Sequence, residues 1–411
     1  MDFSQLTDPA DLGLDAAALE RLTPWMQSYV DDQKYPGSSL AILRGGKLVY
    51  AQAVGLRDVE RQLAFELDTL VRIYSMTKPI VSLALMQLVE RGLCTLGDPV
   101  GDYIPAFKRM QALVEGATKI DQTEPSRSPT LHELLTHTSG LSYGFNTGPL
   151  ARAMTKQEVH FSPALNDLAG MCDRLAQLPL GFQPSTRWQY AVGIDVIGRV
   201  IEILTGQDLE SYLIENIFGP LGMDETRFQV PDHARERFAS SYISVQSLAD
   251  RYPKTQKLRL NEDAQESVFL TPGMASGGGG LVGTLSDYIR FAEMLRQGGM
   301  LDGQRVIAPR TLAFMMRNHL PGDMASMGAD SFAEMDMRGN GFGIGGGVVM
   351  QPERSGIPAS VGEYSWGGIA STYFWVDPAL DMSVVYFTQL MPAGTFPSRE
   401  QLKALVHAAV R

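Results

Sequence analysis

Cysteine is almost absent from the sequence. Cys94 and Cys172 are the two cysteines among its 411 residues. Two thiols are too few for a disulfide scaffold or a cysteine-rich metal site, and we expect two reduced thiols rather than one long-range disulfide. A chain of this length buries about 75% of its unfolded surface on folding, so it needs no such cross-links for stability.

Long apolar runs and a surplus of basic residues are lacking as well. No stretch approaches about 18 consecutive apolar residues, so no membrane-spanning helix is expected. The 35 Lys and Arg residues against 46 Asp and Glu residues give a net charge of −11, which disfavours nucleic acids and anionic membrane surfaces as partners. The first residues have neither the basic nor the apolar region of a signal peptide, so we expect a cytoplasmic protein. The oligomeric state is left open between a monomer and a homodimer.

Hydrophobic periodicity divides the chain into regions of different character. Runs rich in β-forming residues predict strands at Ser39–Leu43 and Lys47–Val54. Three more strands are predicted near the other end of the chain, at Gly341–Met350, Ser371–Val376 and Met382–Thr388. The region 99–214 is helical and loop-rich. Strands at both ends of the chain suggest one mixed domain built from 1–98 and 215–411, with a helical domain inserted into it.

A G-x-S-x-G pattern occurs at Gly140–Gly144, with Ser142 in its centre. This pattern presents a nucleophile only on a sharp turn from a strand into a helix. The preceding run Leu131–Thr138 has helical periodicity, and Phe145–Pro149 cannot open a helix. We therefore interpret Ser142 as part of a structural turn, with a catalytic serine as the weaker alternative.

A sequence similar to the H-E-x-x-H zinc motif begins at His132. Its second histidine, His137, is five positions away rather than four. Five residues place the two side chains about 140° apart around a helix, so they cannot share one metal. We predict no metal site here and interpret His137 as a hydrogen-bonded structural histidine at a helix end.

An S-x-x-K motif, Ser75-Met76-Thr77-Lys78, opens the most apolar predicted helix, which extends to Arg91. A serine at a helix N-terminus lies in a positive field near free backbone N–H groups. Lys78 lies one turn later on the same face, and burial lowers the pKa of an ammonium until it can act as a base. On the motif alone, this interpretation and simple capping by Ser75 with an exposed Lys78 are evenly balanced.

Two further segments favour catalysis. Tyr190 precedes an apolar helical stretch, and a tyrosine near a cation can act as a general base. Trp366-Gly367-Gly368-Ile369 precedes a predicted strand, where glycines allow a backbone N–H to approach a ligand closely. Each also has a structural interpretation, as an interface aromatic and as a β-bulge.

These motifs, taken in order, resemble those of the serine β-lactamase and penicillin-binding-protein superfamily of the class C type. More narrowly, the chain resembles the family VIII carboxylesterases, in which Trp-Gly-Gly occupies the place of Lys-Thr-Gly. The resemblance covers about 15–410. It is carried by Ser75–Lys78, Leu134–Leu141, Tyr190, Phe218–Met223 and Trp366–Gly368.

The resemblance implies an α+β fold of the β-lactamase/transpeptidase type. An antiparallel sheet flanked by helices would form an α/β sandwich, and the inserted domain would be all-helical. The active site would lie in the groove between the two domains. Ser75 would be the acylated nucleophile, activated by Lys78 and Tyr190. The backbone N–H groups of Ser75 and Ile369 would form the oxyanion hole, with no cofactor and no metal.

Two departures from the superfamily's pattern bear on the substrate. The run Tyr190-Ala191-Val192 lacks the asparagine of Tyr-x-Asn, and Trp366 replaces the lysine that anchors a substrate carboxylate. An anionic β-lactam or a D-alanyl peptide loses charge-assisted hydrogen bonds worth about 1.5–3 kcal/mol each. Neutral esters lose nothing.

We therefore predict a serine esterase acting on small, short-chain acyl esters, with weak β-lactam hydrolysis as a side activity. A β-lactamase or D-alanyl peptidase, an acyltransferase that uses the same acyl-enzyme, and a non-catalytic binding protein remain alternatives. The predicted substrate-binding residues are Trp366, Gly367, Gly368, Tyr143, Phe145, Phe342 and Met274.

Overall fold

A central eight-stranded sheet organises the fold. The computed structural model describes residues 2–159, 167–245, 257–328, 331–332 and 335–411. The strands of this sheet are β1 (Gly37–Arg44), β2 (Lys47–Asp58), β3 (Leu63–Ala64), β4 (Asn340–Phe342), β5 (Gly347–Val349), β6 (Tyr364–Gly367), β7 (Tyr373–Asp377) and β8 (Met382–Thr388).

The two ends of the chain build this sheet together. The strand order is β4-β5-β6-β7-β8-β1-β2-β3, and every neighbouring pair is antiparallel. The contribution of both chain ends was expected from the sequence. The domain boundaries at 98/99 and 214/215 stay predictions.

Helices cover both faces of the sheet and fill the middle of the chain. The α-helices of five or more residues in the described ranges are α1 (Leu22–Asp31), α2 (Thr77–Glu90), α3 (Leu131–Leu135), α4 (Pro149–Lys156), α5 (Leu168–Leu175), α6 (Gly193–Thr205), α7 (Leu209–Leu213), α8 (Leu285–Arg296), α9 (Pro309–Met315) and α10 (Ser398–His407). None of the helices described here combines the length and the apolar character needed to span a bilayer.

Alternation along the strands sends side chains into two separate cores. Leu40 and Ile42 of β1 join the core under α1 and α10. Ala41 and Leu43 point to the opposite face, where α2 and α8 pack. This period of two is the geometry of an extended strand with both faces covered. The result is the sandwich of sheet and helices that the family resemblance implies.

Helix α2 runs through the middle of the larger core. Every residue from Thr77 to Leu88 is buried, as the all-round apolar sequence predicts for a central helix. The burial includes Lys78, whose side chain has 0% exposure. The helix therefore places a lysine in the protein interior, one turn after Ser75.

Three observations refine the sequence predictions. The middle of the chain is not all-helical, because Met110–Leu113 pairs with Thr123–Ser126 in a hairpin. Its alternation spans only four residues, too few to distinguish a strand from a loop. The predicted first helix divides into Ala16–Leu19 and α1. Both cysteines are free and buried, as expected.

Candidate active site

A strained turn presents Ser75 at the N-terminus of α2. Tyr74 has a positive φ of 44°, a conformation that is costly for a residue with a side chain and concentrates at functional sites. A short 3₁₀ turn, Tyr74–Met76, then leads into α2. Ser75 stays partly exposed and lines a cavity, while its neighbours are buried.

Lys78 contacts Ser75 from the interior. Its Nζ lies 3.2 Å from Ser75 Oγ, 3.0 Å from the Tyr143 hydroxyl and 2.6 Å from the Gly278 carbonyl oxygen. Burial lowers the pKa of Lys78 to about 7, against a smaller opposing effect of the Asp195 charge. A group with this pKa is available as a base near neutral pH.

Tyr190 lines the same cavity as Ser75. Its hydroxyl forms hydrogen bonds with the Ser75 side chain and the Trp366 indole. Burial raises the pKa of Tyr190 well above its ordinary range, and these two hydrogen bonds only partly oppose that rise. Tyr190 is therefore a neutral phenol, and its ring centroid lies 4.5 Å from Lys78 Nζ. The three predicted catalytic side chains meet in one cluster.

The backbone of Gly368, directly after β6, packs closely against Ile73, which precedes the turn that carries Ser75. A Cβ on Gly368 would lie 2.5 Å from the Ile73 carbonyl oxygen, so only glycine fits this approach. The Gly368 carbonyl accepts hydrogen bonds from Ser371 N–H and Arg399 Nη2. The next peptide is trans, so the Ile369 N–H points away from those two donors. Ile369 lines the same cavity as Ser75.

The cavity encloses about 200 Å³ and is mainly apolar. Phe145 stands at its mouth, 55% exposed, and stacks on Tyr143 with ring centroids 4.8 Å apart. The lining residues are Ser75, Tyr143, Phe145, Tyr190, Gly278, Gly367, Gly368, Ile369, Pro392, Ala393 and Arg399. An acyl or alcohol group of modest size fits such a space.

Three predicted substrate contacts lie outside this lining. Met274 and Phe342 are buried in the larger core. Trp366 is 2% exposed, and its ring packs 5.6 Å from Tyr190 and 5.1 Å from Phe342, centroid to centroid. The expectation that Trp366 offers an apolar face to the substrate is therefore corrected: its indole supports Tyr190 from behind.

Four features of the site were missed by the sequence analysis. Tyr143 was assigned only to the pocket lining, yet its hydroxyl contacts Lys78. Gly278 and Asp195 belong to the network around the same lysine. Arg399, at the start of α10, places a guanidinium in the cavity wall. Two of these residues could have been noticed in the sequence, because Asp195 is a lone aspartate in the apolar stretch of α6 and Gly278 lies in the glycine run 277–280. Nothing in the sequence around Arg399 indicated a role in the site.

The central serine of the G-x-S-x-G pattern and the histidines of the zinc-like motif form hydrogen bonds or ring contacts with other residues of the fold. The Ser142 hydroxyl accepts hydrogen bonds from Gln189 Nε2 and Asn146 Nδ2, and it is buried. His137 follows the end of α3 with a positive φ of 58°, and its Nδ1 accepts the Ala191 N–H. His132 instead contacts His319 through ring nitrogens 3.1 Å apart. Ser142 and His137 thus have the structural surroundings that the sequence predicted.

Comparison with known proteins agrees with this geometry. The Beta-lactamase family profile matches residues 22–408, nearly the whole chain. The chain belongs to the Beta-lactamase family. The resemblance drawn from the ordered motifs is confirmed, and so is the fold class.

Relatives within the family include hydrolases and acyltransferases. Esterase EstB of Burkholderia gladioli is 34% identical over 402 residues, covering 94% of each chain. The monacolin J acid methylbutanoyltransferase of Aspergillus terreus is 30% identical over 376 residues, 88% of each chain. The structure of EstCE1, described as a hydrolase with promiscuous acyltransferase activity, superposes with a TM-score of 0.77 at 26% identity. That match covers 95% of this chain and 98% of EstCE1.

Proposed function

We propose that this protein is a serine carboxylesterase that hydrolyses short-chain acyl esters through an acyl-enzyme on Ser75. The observation that carries the proposal is the contact between Ser75 Oγ and the buried Nζ of Lys78. A serine is a weak nucleophile until a neighbouring base accepts its proton. Lys78, with a pKa lowered to about 7, supplies that base.

The three contacts of Lys78 match the hydrogen-bonding capacity of a neutral amine. An uncharged amine has two N–H donors and one lone pair. The donors serve the Gly278 carbonyl and the Tyr143 oxygen, and the lone pair remains for the Ser75 proton. The neutral state of Tyr190 leaves it unsuited to be the resting base, so we assign that role to Lys78.

The reaction follows in two acyl transfers. Ser75 Oγ bonds to the ester carbonyl carbon as its proton passes to Lys78, and the backbone N–H groups of Ser75 and Ile369 hold the resulting oxyanion. Tyr190, hydrogen-bonded to Ser75, relays that proton to the departing alkoxide, which leaves as alcohol. Water then attacks the acyl carbon and gives its proton to Lys78. The bond between that carbon and Ser75 Oγ breaks, Ser75 Oγ takes the proton back from Lys78, and the carboxylic acid is released. Metal and organic cofactors have no step in this scheme.

The cavity supports neutral esters as the main substrates. Its walls are mostly aromatic and aliphatic, and the segment that anchors a substrate carboxylate in β-lactamases carries Trp366 instead of lysine. Arg399 restores one cation to the wall, so anionic groups are less strongly disfavoured than the sequence suggested. Weak β-lactam hydrolysis fits this arrangement.

Acyl transfer to an alcohol is the second candidate. The same acyl-enzyme serves both reactions, and the named activities of two relatives include acyl transfer. The choice between water and alcohol depends on the acceptor supplied, so the two activities can be compared in one assay with and without added alcohol.

The test compares a short p-nitrophenyl ester with a chromogenic cephalosporin. We expect the parent to favour the ester, Ser75→Ala to lose ester hydrolysis, and Ser142→Ala to retain it as the matched control. Ester activity that survives in Ser75→Ala but disappears in Ser142→Ala would refute the assignment. Strong cephalosporin turnover with little ester hydrolysis would identify a β-lactamase instead. A cytoplasmic location stays a prediction.

A further inference from the structure

A buried carboxylate lies behind the proposed base. Asp195 is on the first turn of α6 and has 0% exposure, as does Lys78. No residue of this kind was expected in an apolar helix, because a buried charge is costly unless it is compensated. The groups that stabilise the buried Asp195 carboxyl group therefore indicate the role of this residue.

The Gly278 residue joins Asp195 to Lys78. Its backbone N–H donates to Asp195 Oδ1 at 3.0 Å, and its carbonyl accepts from Lys78 Nζ at 2.6 Å. Ser276 also donates its hydroxyl to Asp195 Oδ1. The Asp195 carboxyl group and the Lys78 amine are thus linked through the two polar backbone groups of one glycine.

The fit leaves no room for a side chain at this glycine. A Cβ on Gly278 would lie 2.3 Å from Asp195 Oδ2 and 3.0 Å from the Tyr143 hydroxyl. At the preceding position, a Cβ on Gly277 would lie 2.6 Å from the Ile194 carbonyl oxygen. The glycine run therefore brings its backbone directly against the start of α6, which holds the Gly278 carbonyl in place.

We propose that Asp195 is a positioning residue that holds the Gly278 carbonyl against Lys78 and sets the proton affinity of Lys78 by its negative charge. The proposal rests on the assignment of Lys78 as the base in the proposed function. Because Gly278 separates the Asp195 carboxyl group from the Lys78 amine, Asp195 influences the protonation of Lys78 without forming a direct ion pair with it.

The other titratable groups of the described structure that interact with Lys78 are Tyr143, Tyr190 and His137. Burial keeps the two tyrosines and His137 neutral by raising the tyrosine pKa values and lowering that of His137. Burial raises the pKa of Asp195, and its hydrogen bond with Ser276, the Lys78 charge and the Gly278 N–H oppose that rise. Asp195 is therefore the carboxyl group whose removal changes the charge around Lys78.

Asp195→Asn tests the proposal, because asparagine keeps a carbonyl acceptor for Gly278 and Ser276 but removes the charge. Loss of a neighbouring anion lowers the pKa of an amine, so we expect the acidic limb of kcat/KM against pH to move down by about one unit. KM for a neutral ester should stay unchanged. The matched control is Asp287→Asn, another buried carboxylate, which accepts from Glu225 N–H and Thr226; its acidic limb should remain at the parental pH.

A second variant keeps the test valid if Asp195→Asn does not fold. Ser276→Ala removes the hydroxyl that stabilises the Asp195 carboxylate, so its acidic limb should move in the same direction by a smaller amount. A folded Asp195→Asn or Ser276→Ala enzyme with the parental limb would overturn the proposal, since a merely structural role lowers stability without moving that limb.

The pH dependence of Ser75 labelling by a fluorophosphonate separates this inference from the proposed function. If the parent labels at Ser75 but cleaves no ester, the ester assignment fails, and the labelling profile still tests Asp195. If labelling and ester cleavage both occur and the limb does not shift in the variants, only the role of Asp195 fails.

Discussion

Two lysines are buried on opposite sides of the sheet, and their surroundings give them opposite properties. Lys78, in α2, contacts two hydroxyls and a carbonyl, and burial lowers its pKa to about 7. Lys403, in α10, forms a direct ion pair with the buried Glu363, which raises its pKa above the ordinary range despite burial. Burial alone therefore does not turn a lysine into a base. A carboxylate must also not form a direct ion pair with that lysine.

The largest expected effect tests which lysine has to lose its proton. Lys78→Arg keeps a positive charge that cannot be removed near neutral pH, so we expect kcat/KM for a short ester to fall by about 10²–10⁴-fold. Lys403→Arg is the matched control and should keep near-parental activity, because arginine preserves the pair with Glu363. Substantial activity in Lys78→Arg would contradict the assignment of Lys78 as base.

The next test measures stability instead of activity. Lys403→Met removes the cation paired with the buried Glu363 carboxylate and leaves that carboxylate beside His407, whose Nε2 lies 3.7 Å from Oε2. Loss of the pair should lower the free energy of unfolding by about 3–5 kcal/mol. Adding Glu363→Gln should recover most of that loss. Lys78→Met removes a buried amine that forms no ion pair with a carboxylate of the described residues, so the melting temperature of this variant should equal or exceed the parental value. Thermal and denaturant unfolding measure the stability of both variants. A comparable loss of stability in Lys403→Met and Lys78→Met would contradict the proposed difference between the two lysines.

The pH dependence of activity should also distinguish the two lysines. Protonation of Lys78 removes the acceptor for the Ser75 proton, so kcat/KM should fall as the pH drops through about 7. Lys403 keeps its charge across this range because its pKa is raised, so its ion pair should stabilise the fold equally on both sides of the limb. Steady-state rates from pH 5 to 9, with unfolding curves at the two ends, check this. An activity limb that follows loss of structure would contradict it.

The smallest expected effect concerns one hydroxyl beside each lysine. Tyr143→Phe removes a hydrogen bond to Lys78 and should lower kcat/KM about 2–10-fold, in line with one hydrogen bond. Tyr373→Phe removes the corresponding hydroxyl beside Lys403 and should leave the rate unchanged. Equal effects in the two variants would show that the comparison does not extend to these tyrosines.

The sequence predicted those parts of the site that reside in short local patterns. Ser75 and Lys78 are one helical turn apart, so the backbone alone brings them together. The strands β1, β2 and β8 were recognisable as runs rich in β-forming residues, and α2 was recognisable from its apolar character. Tyr190 was identified by its position before an apolar helical stretch and by its place in the order of motifs, not by its spacing from Ser75.

The remaining features depend on contacts between distant segments. Gly278 reaches Lys78 across 200 positions, and Arg399 enters the cavity from α10. Trp366 was placed on the wrong wall because successive side chains of a strand point to opposite faces: Gly367 faces the cavity, while Trp366 faces the core. Trp366 was predicted to lie before a strand rather than within one, so neither β6 nor the face of β6 that borders the cavity was identified from the sequence.

The antiparallel pairing of β1 with β8 also affects how the protein is made. During synthesis the ribosome adds Ser75 and Lys78 early, but Ile369 and Arg399 emerge only near the end, and β1 cannot gain its partner before Met382–Thr388 is complete. An unfinished chain therefore carries its nucleophile without the surrounding cavity. The cavity around Ser75 is therefore completed only by residues from the last part of the chain, such as Ile369 and Arg399.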